Sequence, residues 1–463
     1  MRLARGLLAT FLLLIVFVTP SRADTFPRPA SLEPNITFWR SVFADYSRLQ
    51  VVVHDTWYLD KVYSVLDFRS YDYLGPIALD QLIKDDTAAE VARIRAIFAK
   101  LDEAGPKPTG LTADEQRVFD MYRDDPTPTR FRDAADPKRL RTQRGLREKF
   151  AEGLRIAHRY LPEMERIFRE EGLPTELTRL PLVESCFDVE AYSKVGAAGI
   201  WQFMPATGRI YSMDVNDVVD ERRDPIASTR GAARFLRHNY EKLADQWPLA
   251  ITAYNHGPAG MRRAIEDTGT TDIGVIVQRY RGNAFGFASR NFYAEFLAAL
   301  DVDKHREHYF GKLEGHVSEP TRVVPLDRPM GIEVAAKLAG CDRDTVVALN
   351  PALMDCVVDG RRHIPSGYAL RLPAQHSAGF EERVAEVAAE QRVMRVSAPS
   401  PSSSRRTASR SRGPVTAHKV GHGDTLSEIA QRYGVSVASL KTANRLKHGE
   451  IRKGQVLKIP RGT

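Results

Sequence analysis

The chain has 463 residues, 43% of them hydrophobic and 9% aromatic, which suits several packed cores and excludes a disordered polymer. Its net charge of +8 is unevenly placed: Gln391–Thr463 holds 15 Lys+Arg against 3 Asp+Glu, and residues 24–390 carry about −7 once the three arginines of the first 23 residues are set aside. Three cysteines exclude a disulfide scaffold and allow at most one internal bridge, for which Cys341 and Cys356 are the natural pair because they share a segment.

Residues 1–23 read as an export signal. Arg2 and Arg5 precede the apolar run Leu7–Val18, and Ser21-Arg22-Ala23 offers a cleavage site after Ala23. The alternative, an uncleaved anchor, is short of the ~20 apolar residues a span needs. A periplasmic or cell-envelope location follows. An exported chain does not meet nucleic acid, so the basic tail is expected to face an anionic cell wall or, peripherally, an anionic membrane surface. Oligomeric state is not legible.

Residues 24–140 carry aromatic and helical patterning, as at Phe38-Trp39 and Val62-Tyr63, and no recognisable chemistry. From Leu146 through Phe150, Leu154, Leu161, Met164 and Phe168 the apolar spacing defines one helix face. Pro162 is expected to kink that helix or to begin a second, and Gly172-Leu173-Pro174 to end it. Helix formers dominate onward, so residues 141–305 should form one mainly α domain.

Residues 316–373 differ, with β-branched runs flanking a helical stretch. Residues 391–416 are a Ser/Pro/Arg linker that cannot bury a core, and 417–461 form a last compact unit. Segments 316–373 and 418–460 share the order strand, helix, helix, strand, each with an asparagine (Asn350, Asn444) and a closing proline (Pro373, Pro460). The fold class is therefore a mainly α domain with small α+β (βααβ) modules.

The chemistry concentrates in three places. Glu184 closes the apolar run Leu180-Pro181-Leu182-Val183, where burial would raise its pKa and keep it protonated. Gly196 to Gly208 leads small residues, including Gly199, into Ile200-Trp201-Gln202-Phe203, letting a polymer approach the backbone. Trp201 and Phe203 either stack on sugar faces or pack in the core. Third, Tyr254-Asn255 stands before a Gly257 turn. The 12 histidines are scattered, and His256 has no partner at ligand spacing, so neither metal nor cofactor is expected.

Taken in order and spacing, Glu184-Ser185, then Gly199 to Gly208, then Ala253-Tyr254-Asn255 resembles the lytic murein transglycosylases of the goose-type lysozyme fold, over about residues 145–300. The resemblance implies a lysozyme-like domain that cleaves peptidoglycan glycan strands and leaves 1,6-anhydro-N-acetylmuramic acid ends. It makes Glu184 the acid and base, and Ser185 a neighbour that orients the substrate's N-acetyl group. Gly199, Gln202, Tyr254 and Asn255 would line the cleft. Where the family has Glu-Thr-x-x-Tyr-Val, this chain has Ala288-Ser289-Arg290-Asn291-Phe292-Tyr293. Strict alignment puts Phe292 at the tyrosine position, with Tyr293 one place on as the alternative. Asp188 is the nearby second carboxylate, read as capping local structure.

The unit from His418 to Pro460 resembles a LysM module, a binder of N-acetylglucosamine-containing glycans, and 316–373 resembles a degenerate copy. Two rival readings remain at this stage. A lysozyme-type hydrolase would release reducing ends, and a non-catalytic wall-binding scaffold would need only the modules.

Overall fold

Gln-Val-Val-Val-His-Asp and Val-Tyr-Ser-Val-Leu-Asp are β-branched runs that fit a pleated, half-buried surface. In this computed structural model they form β1 (Gln50–Asp55) and β2 (Val62–Asp67). The structure describes residues 25–316 and 320–386 and, in part, 417–459. The leader at 1–23 and the linker at 391–416 lie outside the described residues. β1 is the middle strand of an antiparallel sheet ordered β2-β1-β3, with β3 at Leu140–Arg144. Region 24–140 is thus not purely helical, as patterning suggested: Val62-Tyr63 lies on a strand, and the expected boundary after residue 140 falls inside β3.

Four helices accompany the sheet: α1 (Glu33–Ala44), α2 (Pro76–Ala104), α3 (Ala113–Asp120) and α4 (Arg130–Ala134). Thr112 and Glu115 start α3 with a reciprocal capping box. Tyr63, Phe98, Tyr122 and Phe131 share a small core of their own.

The helical body follows as α5 (Arg147–Glu170), α6 (Leu180–Glu184), α7 (Pro205–Ile210), α8 (Pro225–Lys242), α9 (Trp247–His256), α10 (Pro258–Thr268), α11 (Ile273–Arg279), α12 (Phe287–Lys304) and α13 (Arg306–Phe310). α5 runs unbroken through Pro162, which is exposed, so the lost amide bond falls on the solvent side. α12 packs against α1, α6 and α9. One core joins Phe38 and Phe43 of α1 to Phe150, Trp201 and Phe296. Each such side chain contributes about 1.5–3 kcal/mol on burial. The N-terminal region therefore folds with the helical body and supplies one of its walls.

β4 (Thr321–Pro325), α14 (Ile332–Ala339), α15 (Arg343–Leu349), α16 (Asp355–Val358) and β5 (Ala369–Pro373) follow, with β4 and β5 paired antiparallel. Asn350 ties this module shut: its Nδ2 donates to the Val346 and Arg371 carbonyls at 2.7 and 2.8 Å, and its Oδ1 accepts the Arg371 amide at 2.8 Å. The module is docked on the helical body. Val219 enters its core, Arg371 pairs with Asp224 at 3.0 Å, and the Asp220 amide donates to Ala352. Cys341 and Cys356, the natural candidates for a bridge, are free thiols; Cys356 Sγ donates to the Asp217 carbonyl at 3.1 Å.

The chain divides into two units, Met1–Ala388 and Ala389–Thr463. Within the second, β6 (Ala417–Lys419) pairs antiparallel with β7 (Val456–Lys458), beside the helix Val437–Asn444. Asn444 repeats the Asn350 device, donating to the Leu440 and Lys458 carbonyls at 2.8 Å and accepting the Lys458 amide at 2.7 Å.

Candidate active site

Glu184 ends α6, whose Leu180, Pro181 and Leu182 are buried and fix the short helix in the core. The chain then turns sharply, with Cys186 and Phe187 both at φ +57°, a conformation that costs of order 1 kcal/mol or more per non-glycine residue. The turn crosses α5 at Gly153, where a Cβ would stand 2.6 Å from the Cys186 carbonyl oxygen. The aim of Glu184 is thus over-determined by packing on both sides. Its carboxyl is partly covered, and burial pushes it up to about 8.

Ser185 is buried, and its Oγ donates to the Ile200 carbonyl at 3.0 Å, joining the Glu184 turn to the glycine-rich loop. Arg222 clamps that loop. Paired with Asp220 at 2.6 Å, it donates to the Gly196 and Phe203 carbonyls at 2.7 and 2.9 Å. At Gly199 (φ +72°) a Cβ would lie 1.9 Å from the Arg222 carbonyl oxygen, so only glycine lets the two backbones meet. Gln202 (φ +49°) turns its Nε2 back to the Gly199 carbonyl at 2.8 Å. Trp201 and Phe203 belong to the core rather than to a sugar-stacking surface. Trp201 is fully buried, stacked on Phe168, with Nε1 donating to Thr229 Oγ1 at 2.9 Å.

Tyr254 of α9 donates its hydroxyl to the Trp201 carbonyl at 2.9 Å. Burial, then the nearby charge of Glu184, hold its pKa well above the ordinary phenol value. Asn255, exposed one residue on, accepts from Ser289 Oγ of α12 at 2.7 Å. Of the two aromatic candidates on α12, it is Phe292 whose ring lies parallel to Tyr254, with centroids 6.4 Å apart. Tyr293 is 1% exposed and donates its hydroxyl to the Pro27 carbonyl at 2.8 Å, so the structure directs it away from the Glu184 site.

The residue that sequence reasoning missed is Glu295. It stands one turn after Phe292 on α12, and burial, then the charge of Glu184, push it up to about 8. Arg141 of β3, which lies over the Phe287 ring at 4.3 Å, pulls the other way. Asp188 instead accepts the Glu190 amide at 3.1 Å, a local turn contact. Helical periodicity was the available signal: a residue three after Phe292 falls on the same side of α12. Among the described residues no group of three His, Cys, Asp or Glu side chains is placed to hold a metal. His256 packs its ring against Phe285 and Tyr280.

A transglycosylase SLT domain family matches residues 164–277, and a LysM domain family matches residues 418–460. The chain is 29% identical over 309 residues to membrane-bound lytic murein transglycosylase D of Escherichia coli (strain K12), covering 64% of this chain and 62% of that protein. It is 27% identical over 201 residues to membrane-bound lytic murein transglycosylase F of Aeromonas salmonicida (strain A449), covering 36% and 39%. A solved lytic transglycosylase Slt from Pseudomonas aeruginosa aligns at 19% identity over 45% of this chain and 32% of that one, with a TM-score of 0.29, too slight a likeness to define the fold. The chain thus carries an SLT transglycosylase domain and a LysM domain, and it spans less than two thirds of the length of the murein transglycosylase D that it matches.

Proposed function

We propose that this chain is an exported lytic transglycosylase that cleaves peptidoglycan glycan strands at the bond from N-acetylmuramic acid to N-acetylglucosamine. The observation that carries the reading is the Glu184 carboxyl, held by burial at about 8 and so protonated near neutral pH, within the segment that matches the SLT domain family. A raised carboxylic acid is what a sugar leaving group needs. Glu184 gives its proton to the glycosidic oxygen as the C1–O bond breaks, and the substrate's acetamido oxygen steadies the cation at C1. The Glu184 carboxylate then takes the proton of the C6 hydroxyl, whose oxygen bonds C1 and closes the anhydro ring. Acid and base are one group used twice.

Gln202, Tyr254 and Asn255 are proposed to line the substrate cleft, with Ser185 and Gly199 holding the loop that shapes it. The LysM unit is proposed to bind the wall and to keep the helical body near its substrate.

A hydrolase reading draws on Glu295, since hydrolases pair an acid with a base or nucleophile. With its carboxyl at about 8, Glu295 is mostly protonated at neutral pH and a poor activator of water. The test is Glu184→Gln: cleavage of purified wall should fall by at least about a thousandfold, the scale of removing a general acid, with wall binding intact. A variant keeping a tenth of the rate would end the assignment.

A further inference from the structure

A cavity of about 310 Å³ opens where the N-terminal region meets α11 and α12, away from Glu184. Asn35, Trp57, Asp60, Gln278, Arg281 and Arg290 line it. Two guanidinium groups lie over one indole: the Arg290 and Arg281 carbons stand 3.6 and 4.1 Å from the Trp57 ring centroid. Among the described residues neither arginine has a carboxylate partner. Arg281 donates to the carbonyl of its neighbour Tyr280, and Arg290 Nε is buried without a hydrogen bond.

The buried anionic charge nearby, Asp55, is already committed. Asp55 Oδ2 takes Arg139 and the Tyr63 and Tyr122 hydroxyls, while its Oδ1 takes the Trp57 and Tyr58 amides. Asp60, exposed, is the one carboxylate in the lining. Arg290 also sits in the first turns of α12, where the helix's own positive end disfavours a cation. Burial and the Arg281 charge accordingly pull its pKa down to about 10. Two cations stacked on one indole and facing a cavity, one of them (Arg290) at a positive helix end, are costly alone and stable once an anion arrives.

We propose that this cavity is a carboxylate-binding subsite, in which Arg281 and Arg290 hold a free carboxylate of the peptide carried by the glycan strand, with Trp57 keeping their planes aligned. Planar guanidinium forks match carboxylates in two-point contact. Arg290 precedes Glu295 by five residues, about 7.5 Å along the α12 axis, so one helix links the subsite to the cleft. The proposal rests on the peptidoglycan reading above, and its test separates the two.

The full chain is titrated calorimetrically with an N-acetylmuramyl stem peptide bearing free carboxylates, and cleavage is measured on glycan strands with and without peptides. Arg290→Gln should weaken peptide binding by about tenfold or more. It should raise KM on peptide-bearing strands alike, and leave kcat and KM on peptide-free strands unchanged. Arg281→Gln, at an exposed position that does not threaten folding, should act in the same direction. Amidating the peptide carboxylates should mimic both variants. A chain that cleaves glycan but binds no peptide, or binds the amidated peptide equally well, overturns the subsite and spares the functional reading. One that binds peptide and cleaves no glycan does the reverse.

Discussion

Glu295 of α12 and Glu184 of α6 share one partly covered environment, in which burial and then the charge of Glu184 help to hold Glu295 protonated. Only Glu184 lies within residues 164–277, which match the SLT domain family. Glu295→Gln keeps the shape and hydrogen-bonding capacity of a protonated Glu295. It should therefore retain activity to within about tenfold, against the loss of at least about a thousandfold for Glu184→Gln. Steady-state rates on purified wall make the comparison, and equal losses would make the pair a joint catalytic unit.

The same pair sets a pH dependence. Both carboxyls sit above their ordinary value of 4.5 in the folded chain, at about 8, so the unfolded chain releases these protons first. Their contribution to stability is full below about pH 4.5 and is lost as pH rises toward 8. Activity should fall at higher pH, as pH rises through about 8, because the acid form of Glu184 is the reactive one. Thermal melts should find Glu184→Gln more stable than wild type at pH 8, by about 2 °C or more, with the gap closing at pH 4.5. A constant gap would mean that the Glu184 carboxyl is not held above its ordinary pKa.

Tyr254→Phe removes the hydroxyl that holds the Trp201 carbonyl at 2.9 Å. The carbonyl then lacks a partner at a cost of about 1–3 kcal/mol, and the loop bearing Gly199 and Gln202 loosens. Denaturant unfolding should show that loss, with a lower kcat and little change in wall sedimentation.

Much of this arrangement was legible from residue order. The helical body, the paired strands and first two helices of 316–373 with Asn350 tying them, and the glutamate closing an apolar run all follow from periodicity and burial, while the short α16 before β5 departs from the two-helix outline. The strands at Val51–Val53 and Val62–Tyr63 were not, because short apolar runs do not separate strand from helix by period alone. Trp201 and Phe203 stayed open for a related reason: an aromatic pair reads alike in a groove or a core until the packing of Phe168 and Thr229 is known. Glu295 stayed hidden because no motif contains it: its place three residues after Phe292 marks a helix face, but the packing of α12 on α6 is what brings that face to Glu184. Whether Cys341 and Cys356 pair stayed open in the sequence, because proximity along the chain does not fix the separation of two thiols, and the structure leaves both free.

The tail predicts a separation of binding from chemistry. His418–Pro460 carries 8 Lys+Arg against 3 Asp+Glu, and five more arginines lie between 395 and 412. Deleting 391–463 should sharply reduce sedimentation with insoluble wall while leaving cleavage of short soluble fragments nearly unchanged. Part of the wild-type binding should yield to salt, since exposed charges are screened beyond about 10 Å at ~0.1 M.

The most direct measurement of the central claim is mass analysis of the muropeptides released from purified peptidoglycan by the intact chain. If Glu184 returns as base to the C6 hydroxyl, the products end in 1,6-anhydro-N-acetylmuramic acid, and Glu184→Gln releases none. Products ending predominantly in free reducing sugars would show that water, not the C6 hydroxyl, reaches C1, and would contradict the account.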